Sequence, residues 1–404
     1  MVKRTPPMKK LDIGDESVAV HHLLGGKLGT FSKVPVKTSH DLSIAYTPGV
    51  AKVSQVVAAD PSRAFDLTLK KNALAVISDG SKVLGLGNLG AYGAIPVMEG
   101  KAVLFKELGG IDAFPICLLT QDSKEIISII RNISPVFGAI NLEDFVAPKC
   151  FEIEAALQDL GIPVFHDDQH GTAVVVYAGL WNASKVVGKE FASLRVCING
   201  AGAAGNAIAR MLKGIGVPPG FPSVKEVILC DSKGIVDRSR ADLDPAKKEL
   251  LAFSNSAHMR GGLREAVMGM DVFIGVSVAG ALNPEWIGSM GKNPVIFALA
   301  NPVPEIMPDV AKGAGAKVVA TGRSDFPNQT NNALAFPGIF RGAMDAHAVR
   351  ITEGMNMAAA LALAGMVDSP STDQILPSLS DPRVAKVVAS AVKKQAEAEG
   401  VARR

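Results

Sequence analysis

This 404-residue sequence has few aromatic residues and almost no excess of positive or negative charge. Phe, Trp and Tyr make up 5% of it, and 42 Lys and Arg against 39 Asp and Glu leave a formal net charge of +3. A protein that grips nucleic-acid phosphates needs a strongly basic surface, and one that stacks bases needs aromatic side chains. The composition therefore excludes nucleic acid as a partner.

Long apolar runs are missing as well. No stretch approaches the roughly 18 apolar residues of a membrane span, and the best candidate, residues 357–367, is short and predicts a buried helix. Acidic residues, rather than the apolar core of a signal peptide, follow the basic N-terminus. The four cysteines form no C-x-x-C pair and lie beside apolar runs, which favours buried thiols in a reducing compartment. We expect a cytoplasmic protein without a membrane partner.

What the sequence does contain is a repeated alternation of short apolar runs with longer helical patterns, which predicts βαβ units and mainly parallel sheets. The predicted strands cover residues 74–78, 116–120, 139–142, 163–165, 195–199, 226–230, 272–276, 295–299 and 317–320. The fold class is therefore α/β. We predict two α/β domains in series, residues 1–188 and 189–335, with a helical segment, residues 336–404, that packs back on them.

The clearest motif lies in residues 195–212 (RVCINGAGAAGNAIARML), which hold G-x-G-x-x-G at Gly200, Gly202 and Gly205. The motif follows a predicted strand and begins a helix. In that setting Gly200 permits a tight turn, Gly202 lets the backbone approach a pyrophosphate, and Gly205 lets helix and strand pack closely. The second domain is thus predicted to be a Rossmann-type dinucleotide-binding domain.

Asp231 ends the next predicted strand and is expected to bind the ribose hydroxyls of adenosine, which favours NAD. Ser232 and Lys233 follow it and could instead accept a 2′-phosphate, so NAD and NADP both stay open. A second G-x-G-x-x-G, GLGNLG at residues 85–90, precedes AYGAIP, which we interpret as non-helical. We therefore expect GLGNLG to form a tight loop that lines a site.

Two acidic pairs follow predicted strands: Glu143 and Asp144, then Asp167 and Asp168. Because parallel strands end at the same edge of a sheet, both pairs are expected at the edge where α/β proteins bind ligands. Converging carboxylates form an oxygen-ligand site for Mg²⁺ or Mn²⁺. Asp79 could reach the same edge. His166 and His170 flank the second pair, and we interpret them as polar loop residues rather than zinc ligands.

Taken together, these and further motifs resemble the short prokaryotic malic enzymes from about residue 20 to 350. The matching segments are YTPGV (46–50), SDGSKVLGLGNLG (78–90), PVMEGKAVLFK (96–106), NLEDF (141–145), FHDDQHGTA (165–173), the GAGAAG loop, ALANP (298–302) and TGRSDFPNQTNNALAFPGIFRG (321–342). The resemblance implies oxidative decarboxylation of malate to pyruvate and CO₂ with NAD or NADP and a divalent cation. It also implies a homodimer or larger homo-oligomer, in which one subunit could complete the site of another.

The resemblance further implies roles for the acidic residues and for two proton carriers. Glu143, Asp144 and Asp168 match the metal ligands, and Asp167 lies just outside them. Lys101 matches the general base. We expect a lowered pKa for Lys101, since EGKAVLFKELGG (99–110) predicts a short helix with this lysine in its first turn, at the positive end of the dipole, and the bound cation would act the same way.

Tyr46 matches the general acid that protonates the enolate carbon. Asn301 and Asn332 match positions that contact the substrate carboxylate or the cofactor, and Asn331 could share that work. Ala203 and Ala204 belong to the cofactor loop. Animal-type members have Arg where this chain has Lys82, and Lys lacks the planar fork for bidentate carboxylate binding. Either Lys82 or another cation, such as Arg323, is therefore expected to hold the second malate carboxylate.

Three other functions stay open from the residues alone. An amino-acid dehydrogenase shares a catalytic lysine and a dinucleotide domain, but needs no acidic metal cluster. A non-catalytic dinucleotide-binding protein would be expected to lack some of the catalytic residues, and all are present. A related dehydrogenase for another 2-hydroxy acid fits the same motifs. The N-terminal helical pattern with Val18, Val20, Leu23 and Leu24 fits either a dimer face or a core face.

Overall fold

The computed structural model of the chain describes residues 12–403, which form two mainly parallel sheets flanked by helices. The helices are α1 (Ile13–Leu24), α2 (Ser39–Ala45), α3 (Gly49–Ala59), α4 (Ala64–Leu67), α5 (Gly90–Gly109), α6 (Ser123–Ile133), α7 (Lys149–Ala156), α8 (Asp167–Val186), α9 (Ala203–Leu212), α10 (Pro245–Leu250), α11 (Leu263–Val267), α12 (Pro284–Ile287), α13 (Pro308–Gly313), α14 (Phe336–Asp345), α15 (Glu353–Ala364) and α16 (Val384–Ala398). The strands are β1 (Ala73–Ser78), β2 (Asp112–Cys117), β3 (Ala139–Leu142), β4 (Val164–His166), β5 (Arg195–Asn199), β6 (Glu226–Asp231), β7 (Gly234–Ile235), β8 (Val272–Gly275), β9 (Val295–Ala298) and β10 (Val318–Thr321).

The first sheet has the strand order β2-β1-β3-β4, and all its pairs are parallel. Every residue of β1, β3 and β4 is buried, as expected for strands covered on both faces. Because β1, β3 and β4 run in the same direction, the residues that follow Ser78, Leu142 and His166 meet at one edge. The sheet thereby brings together segments that are about 90 residues apart in the sequence.

The second sheet has the order β10-β9-β8-β5-β6-β7, parallel except for the short antiparallel β7. Its order reverses between β5 and β8, which is where a doubly wound sheet opens a crevice for a dinucleotide. The two sheets and the Rossmann-type arrangement of the second confirm the predicted α/β class. The boundary at residue 188 stays a prediction.

Helix α8 connects the two sheets. It begins at the edge of the first sheet, directly after β4, and packs against α9 of the second and against α15. The amide of Asn182 on α8 donates to the backbone oxygens of Ala364 and Ile375, which ties the C-terminal helices to the same body. Helix α15 packs on α8 and helix α14 packs on α5, so the C-terminal segment does pack back on the rest, as predicted.

The N-terminal helices differ from the rest, because α1, α2 and α3 bury no residue. Leu23 is 82% exposed and Val18 70% exposed, so the apolar face predicted there is not a core face of this chain. Within residues 12–403, no helix is both long and apolar enough to cross a bilayer.

Two local predictions were wrong. Residues 91–96 (AYGAIP) are helical and form the first turns of α5, although Pro96 lies inside that helix. The sequence pattern predicts a helix over residues 172–187, whereas α8 begins at Asp167, so Asp167 and Asp168 lie in its first turn. In both places helical geometry extends up to the edge of the site.

Candidate functional site

Three carboxylates form the centre of the site, and the strand ends bring them together. Glu143, Asp144 and Asp168 each offer an oxygen, and these oxygens lie within 4.8 Å of one another. Asp144 has a φ of 58°, and its backbone N–H donates to Oδ2 of Asp168 over 3.0 Å. The turn after β3 is thereby held against the start of α8.

The electrostatics of this cluster fit a divalent cation. Burial and the charge of Asp168 raise the pKa of Asp144 to about 7. Burial also raises the pKa of Glu143 well above its usual range, although the Lys101 ammonium opposes this. Oδ2 of Asp144 is buried and has no hydrogen-bond partner among residues 12–403. Buried carboxylate oxygens that lack donors suit a hard cation such as Mg²⁺ or Mn²⁺.

Lys101 lies beside the cluster, in the middle of α5. Its Nζ is 2.6 Å from Oδ2 of Asp167 and 2.9 Å from Oε1 of Glu143, and it lies 4.3 Å from the ring centroid of Phe336. Burial lowers the pKa of Lys101, but the charges of Asp167 and Glu143 outweigh burial and raise it.

The sequence-based expectation of a lowered pKa is therefore wrong for the protein in this state. Its first premise also fails, because Lys101 is eleven residues into a 20-residue helix and far from the first-turn dipole.

Asp167 is fully buried and serves as the anchor of the lysine. Its Oδ2 accepts from Lys101 and from Nδ2 of Asn332, at 2.6 and 2.9 Å. A Cβ on Gly171 would collide with Oδ1 of Asp167, so this position of α8 has room only for glycine. The motif HDDQHG thus ends in a glycine for a steric reason that sequence reasoning missed.

A cavity of about 540 Å³ opens onto these groups and extends to the second sheet. Its lining includes Lys82, Leu84, Gly85, Gly87, Val97, Lys101, Glu143, Asp144, Asp168, Thr172, Ala204, Val276, Ser277, Asn301, Asn331 and Asn332. The volume is in the range of small-molecule sites. The GLGNLG loop lines it, as predicted, and a Cβ on Gly85 would collide with the backbone oxygen of Asn301.

Two cations were candidates for the second substrate carboxylate, and the structure separates them. Lys82 is exposed at the cavity wall, and its side chain makes no ion pair within the described residues. The guanidinium of Arg323 is held by both oxygens of Asp325 and by the backbone oxygen of Pro302. Of these two cations, Lys82 is the one that lines the cavity.

The glycine loop has the geometry of a dinucleotide cradle. Gly200 has a φ of +122°, and a Cβ there would lie 2.7 Å from the oxygen of Val276, so only glycine fits. A Cβ on Gly205 would collide with the oxygen of Gly200, whereas Gly202 faces open space. Ala203 begins α9, so the helix N-terminus faces this loop.

Asp231 lines a second cavity, of about 240 Å³, together with Gly200, Ala201, Gly202 and Ser232. Burial raises the pKa of Asp231, but hydrogen bonds from Arg240 and Lys247 outweigh this effect and lower it to about 2. The carboxylate is thus fixed in its charged form at the position where a ribose is expected.

Four other residues named from the sequence lie elsewhere or differ from expectation. Tyr46 directly follows α2, is 67% exposed and lies outside the cavity that holds Lys101. Asp79 is buried but pairs with Lys149 rather than with the acidic cluster. His166 and His170 are not loop residues: the first is fully buried on β4, and the second lies on α8 against Glu154.

Sequence reasoning missed further residues of the cavity wall, of which Thr172, Ser277 and Thr330 are polar. Ser277 comes two residues after β8, at the same edge as Asn301 after β9. The rule that ligands bind beyond the carboxyl ends of parallel strands could have identified it.

Comparisons with known proteins agree with this geometry. The family described as "Malic enzyme, N-terminal domain" matches residues 25–158, and "Malic enzyme, NAD binding domain" matches residues 169–397. A bifunctional malic/malolactic enzyme of Bacillus subtilis is 50% identical over 97% of this chain and 95% of its own length. An NAD-dependent malic enzyme of Geobacillus stearothermophilus is 48% identical over 100% of this chain and 83% of its own. The crystal structure of an NAD-dependent malic enzyme from Thermotoga maritima superposes with a TM-score of 0.89 at 47% identity, over 95% of this chain and 99% of that one.

Proposed function

We propose a reaction for this chain, which belongs to the malic enzyme family: the oxidative decarboxylation of malate to pyruvate and CO₂, with NAD or NADP as oxidant and Mg²⁺ or Mn²⁺ as the metal. The observation that carries the proposal is the convergence of Glu143, Asp144, Asp168 and Lys101 on the cavity that also reaches Ala204 of the glycine loop. An amino-acid dehydrogenase has no use for three converging carboxylates.

The proposed proton chemistry at C2 begins with Lys101. As a free amine, its Nζ takes the proton of the malate hydroxyl, and Asp167 at 2.6 Å stabilises the ammonium that forms. Asp167 is in turn fixed by Asn332, so the amine has a defined position. A divalent cation bound to Glu143, Asp144 and Asp168 supplies Lewis-acid polarisation of the substrate oxygens.

In this proposal, polar side chains of the cavity wall orient malate. Lys82 is exposed at the cavity wall, where it would hold the second carboxylate as a point charge. Asn301 and Asn332 also line the cavity, and each amide nitrogen has a second proton to donate to a carboxylate besides the one bonded within the chain.

In this proposal the dinucleotide binds along the glycine loop. When bound, it would supply the acceptor for the hydride. Gly200, Gly202, Ala203 and Gly205 form its pyrophosphate cradle, and Asp231 receives the adenosine ribose. The Ala204 position belongs to both the glycine loop and the malate cavity, which supports a nicotinamide bound beside the substrate.

We further propose that the enzyme is a homodimer in which Tyr46 of the partner subunit completes each site. The support is the exposure of Tyr46, together with the apolar faces of α1 to α3, which bury no residue in this chain. Apolar side chains such as Leu23 and Ile44 are more than 60% exposed, and exposed apolar patches of this kind mark protein interfaces. Tyr46 would protonate the enolate carbon to give pyruvate.

Complementation tests this arrangement. Subunits carrying Lys101→Arg and subunits carrying Tyr46→Phe are co-expressed with different tags, and the mixed dimer is purified. If Tyr46 acts across the interface, a mixed dimer has one intact site and recovers about half of the wild-type activity. If Tyr46 acts within its own subunit, both sites carry a defect, no activity returns, and the proposal fails.

The reaction itself is tested by absorbance at 340 nm with malate and Mn²⁺, with NAD and NADP in parallel. We expect reduction of a cofactor with an equal amount of pyruvate, stopped by EDTA. Oxaloacetate in place of pyruvate would contradict the decarboxylation step, and no signal would shift the assignment to another 2-hydroxy acid.

A cytoplasmic location is part of the proposal, because the four cysteines are free thiols, as suits a reducing compartment.

A further inference from the structure

A fully buried carboxylate outside the acidic cluster lies beneath the cofactor side of the cleft. Glu305 has no exposed surface, and no cation of the described chain pairs with it. Its Oε1 accepts from the backbone N–H of Ser277 over 2.9 Å, and its Oε2 accepts from that of Ala300 over 3.0 Å. A buried charge without a countercharge is costly, so its donors must be accounted for.

The two donors follow different strands. Ser277 follows β8 and Ala300 follows β9, and these two strands are neighbours in the second sheet. A single carboxylate therefore joins the carboxyl ends of both. Neutral side chains of this size cannot do the same, because Gln offers only one acceptor atom and would direct its amino group at the second N–H.

Strand β8 has room for this carboxylate because its last residue is a glycine. A Cβ on Gly275, the last residue of β8, would lie 2.6 Å from Oε1 and 2.7 Å from Cγ of Glu305. Glycine at this position is therefore a steric requirement of the buried carboxylate, since the φ of Gly275 is not in the left-handed region.

The segments that follow β8 and β9 also contact the glycine loop and line the neighbouring cavity. Asn199, which precedes Gly200, donates through Nδ2 to Oγ of Ser277 over 2.7 Å, and Val276 packs against Gly200. Asn301 follows Ala300 and lines the malate cavity. Glu305 is thus connected through Ser277 to the glycine loop and through Ala300 to Asn301 at the wall of this cavity.

We propose that Glu305 is a positioning residue that fixes the ends of β8 and β9 and so shapes the site for the nicotinamide half of the dinucleotide. The inference rests on the proposed function for the identity of the ligand. Glu305 touches neither ligand; it acts through Ser277 and Ala300. The acidic metal cluster belongs to the first sheet, so its affinity for Mn²⁺ does not depend on Glu305.

The test compares Glu305→Gln with wild type, both as the whole chain. NADH and NADPH are titrated in the absence of malate and metal, and binding is measured by fluorescence. We expect the dissociation constant of whichever cofactor wild type binds to rise at least tenfold, while Mn²⁺ binding, followed by electron paramagnetic resonance, stays within twofold. Glu265→Gln is the matched control, because Glu265 is an exposed carboxylate that also accepts a backbone N–H, from Gly262, away from the cleft. It should leave both affinities unchanged.

Two further variants keep the inference falsifiable if Glu305→Gln does not fold. Glu305→Asp keeps the charge and should bind cofactor more tightly than the Gln variant. Gly275→Ala intrudes on the carboxylate from the other side and should weaken cofactor binding in the same way. Unchanged cofactor affinity in folded Glu305 variants, with only a lower melting temperature, would reduce Glu305 to a structural role. Because these titrations need no turnover, they remain decisive if malate proves not to be the substrate.

Discussion

Lys101 and Asp167 form a buried ion pair, with 2.6 Å between Nζ and Oδ2. The relationship has a direct consequence for catalysis, because a general base must lose its proton before it can accept another. The Asp167 and Glu143 charges raise the pKa of Lys101 in the structure described here. Neutralisation of Glu143 by a bound cation would remove part of that effect. The base is thus expected to become available only after metal has bound.

Removal of the base should separate the two halves of the reaction. Lys101→Ala should abolish malate oxidation while oxaloacetate decarboxylation partly survives, because the latter substrate has no hydroxyl proton to remove. Lys101→Arg keeps the charge beside Asp167 but cannot act as a base, so it should slow oxidation by about 10²–10⁴-fold without loss of stability. Lys106→Ala, on an exposed position of the same helix, is the control. Preserved oxidation in either Lys101 variant would remove its assigned role.

The acidic cluster predicts a strong dependence of metal affinity on Asp168. Asp168→Ala should abolish metal-dependent turnover and weaken Mn²⁺ binding by more than about a hundredfold, since even residues outside the ligand shell commonly cost 10–100-fold. Mn²⁺ titration by electron paramagnetic resonance measures this. Asp159→Ala, a surface carboxylate, should leave the affinity unchanged. Equal Mn²⁺ affinity in wild type and Asp168→Ala would contradict the ligand set.

Lys82 should control the KM for malate. A hydrogen bond to a charged group contributes about 1.5–3 kcal/mol, so Lys82→Ala should raise the KM for malate by about 10- to 100-fold and leave that for the cofactor unchanged. Lys82→Arg should retain malate binding. Arg323→Ala should have little effect, because its guanidinium is already held by Asp325. A large effect of Arg323→Ala alone would reverse the two assignments.

His170 should make stability fall as pH rises above neutrality. Burial lowers the pKa of His170, but the charge of Glu154 outweighs burial and raises it to about 9. A raised pKa means that the folded protein holds the proton more tightly than the unfolded chain, so the stabilisation is complete below about pH 6.5 and is lost as pH rises to about 9.

Urea unfolding at fixed protein concentration checks this pH dependence. The free energy of unfolding of wild type should fall by up to about 3 kcal/mol more between pH 6 and pH 9 than that of His170→Gln. His258→Asn, at an exposed position outside α1 to α3, should behave as wild type does. Parallel pH profiles of wild type and His170→Gln would contradict the role of the ion pair with Glu154.

Much of the fold follows from the sequence, because buried parallel strands are short apolar runs between helical patterns. Strands β3 and β5 have their predicted bounds. Helix α5 was missed at its start because Gly93 and Pro96 oppose helix formation locally. Its inner face, which includes Ala94 and Met98, is fully buried in the core, so tertiary packing overrides the local preference.

The site was predictable where strand ends create it and unpredictable where side chains meet across the fold. The acidic residues and the glycine loop were found from their positions after strands. The contact of Lys101 with Asp167 and the support of Asp167 by Asn332 join α5, α8 and the segment before α14, which no local pattern reveals. Tyr46 lies outside the cavity that holds Lys101, and the role proposed for it depends on a second subunit.

Helix α8 also constrains how this protein can exchange gene segments with its relatives. The helix presents Asp168 to the first sheet, packs on α9 behind the glycine loop, and is bonded through Asn182 to the C-terminal helices. A recombination joint placed between β4 and α9 would pair a helix from one parent with neighbours from the other. Chimaeras whose breakpoints lie outside the segment from β4 to α9 should retain activity more often than those with a breakpoint inside it. The metal site and the dinucleotide site are therefore expected to be inherited together.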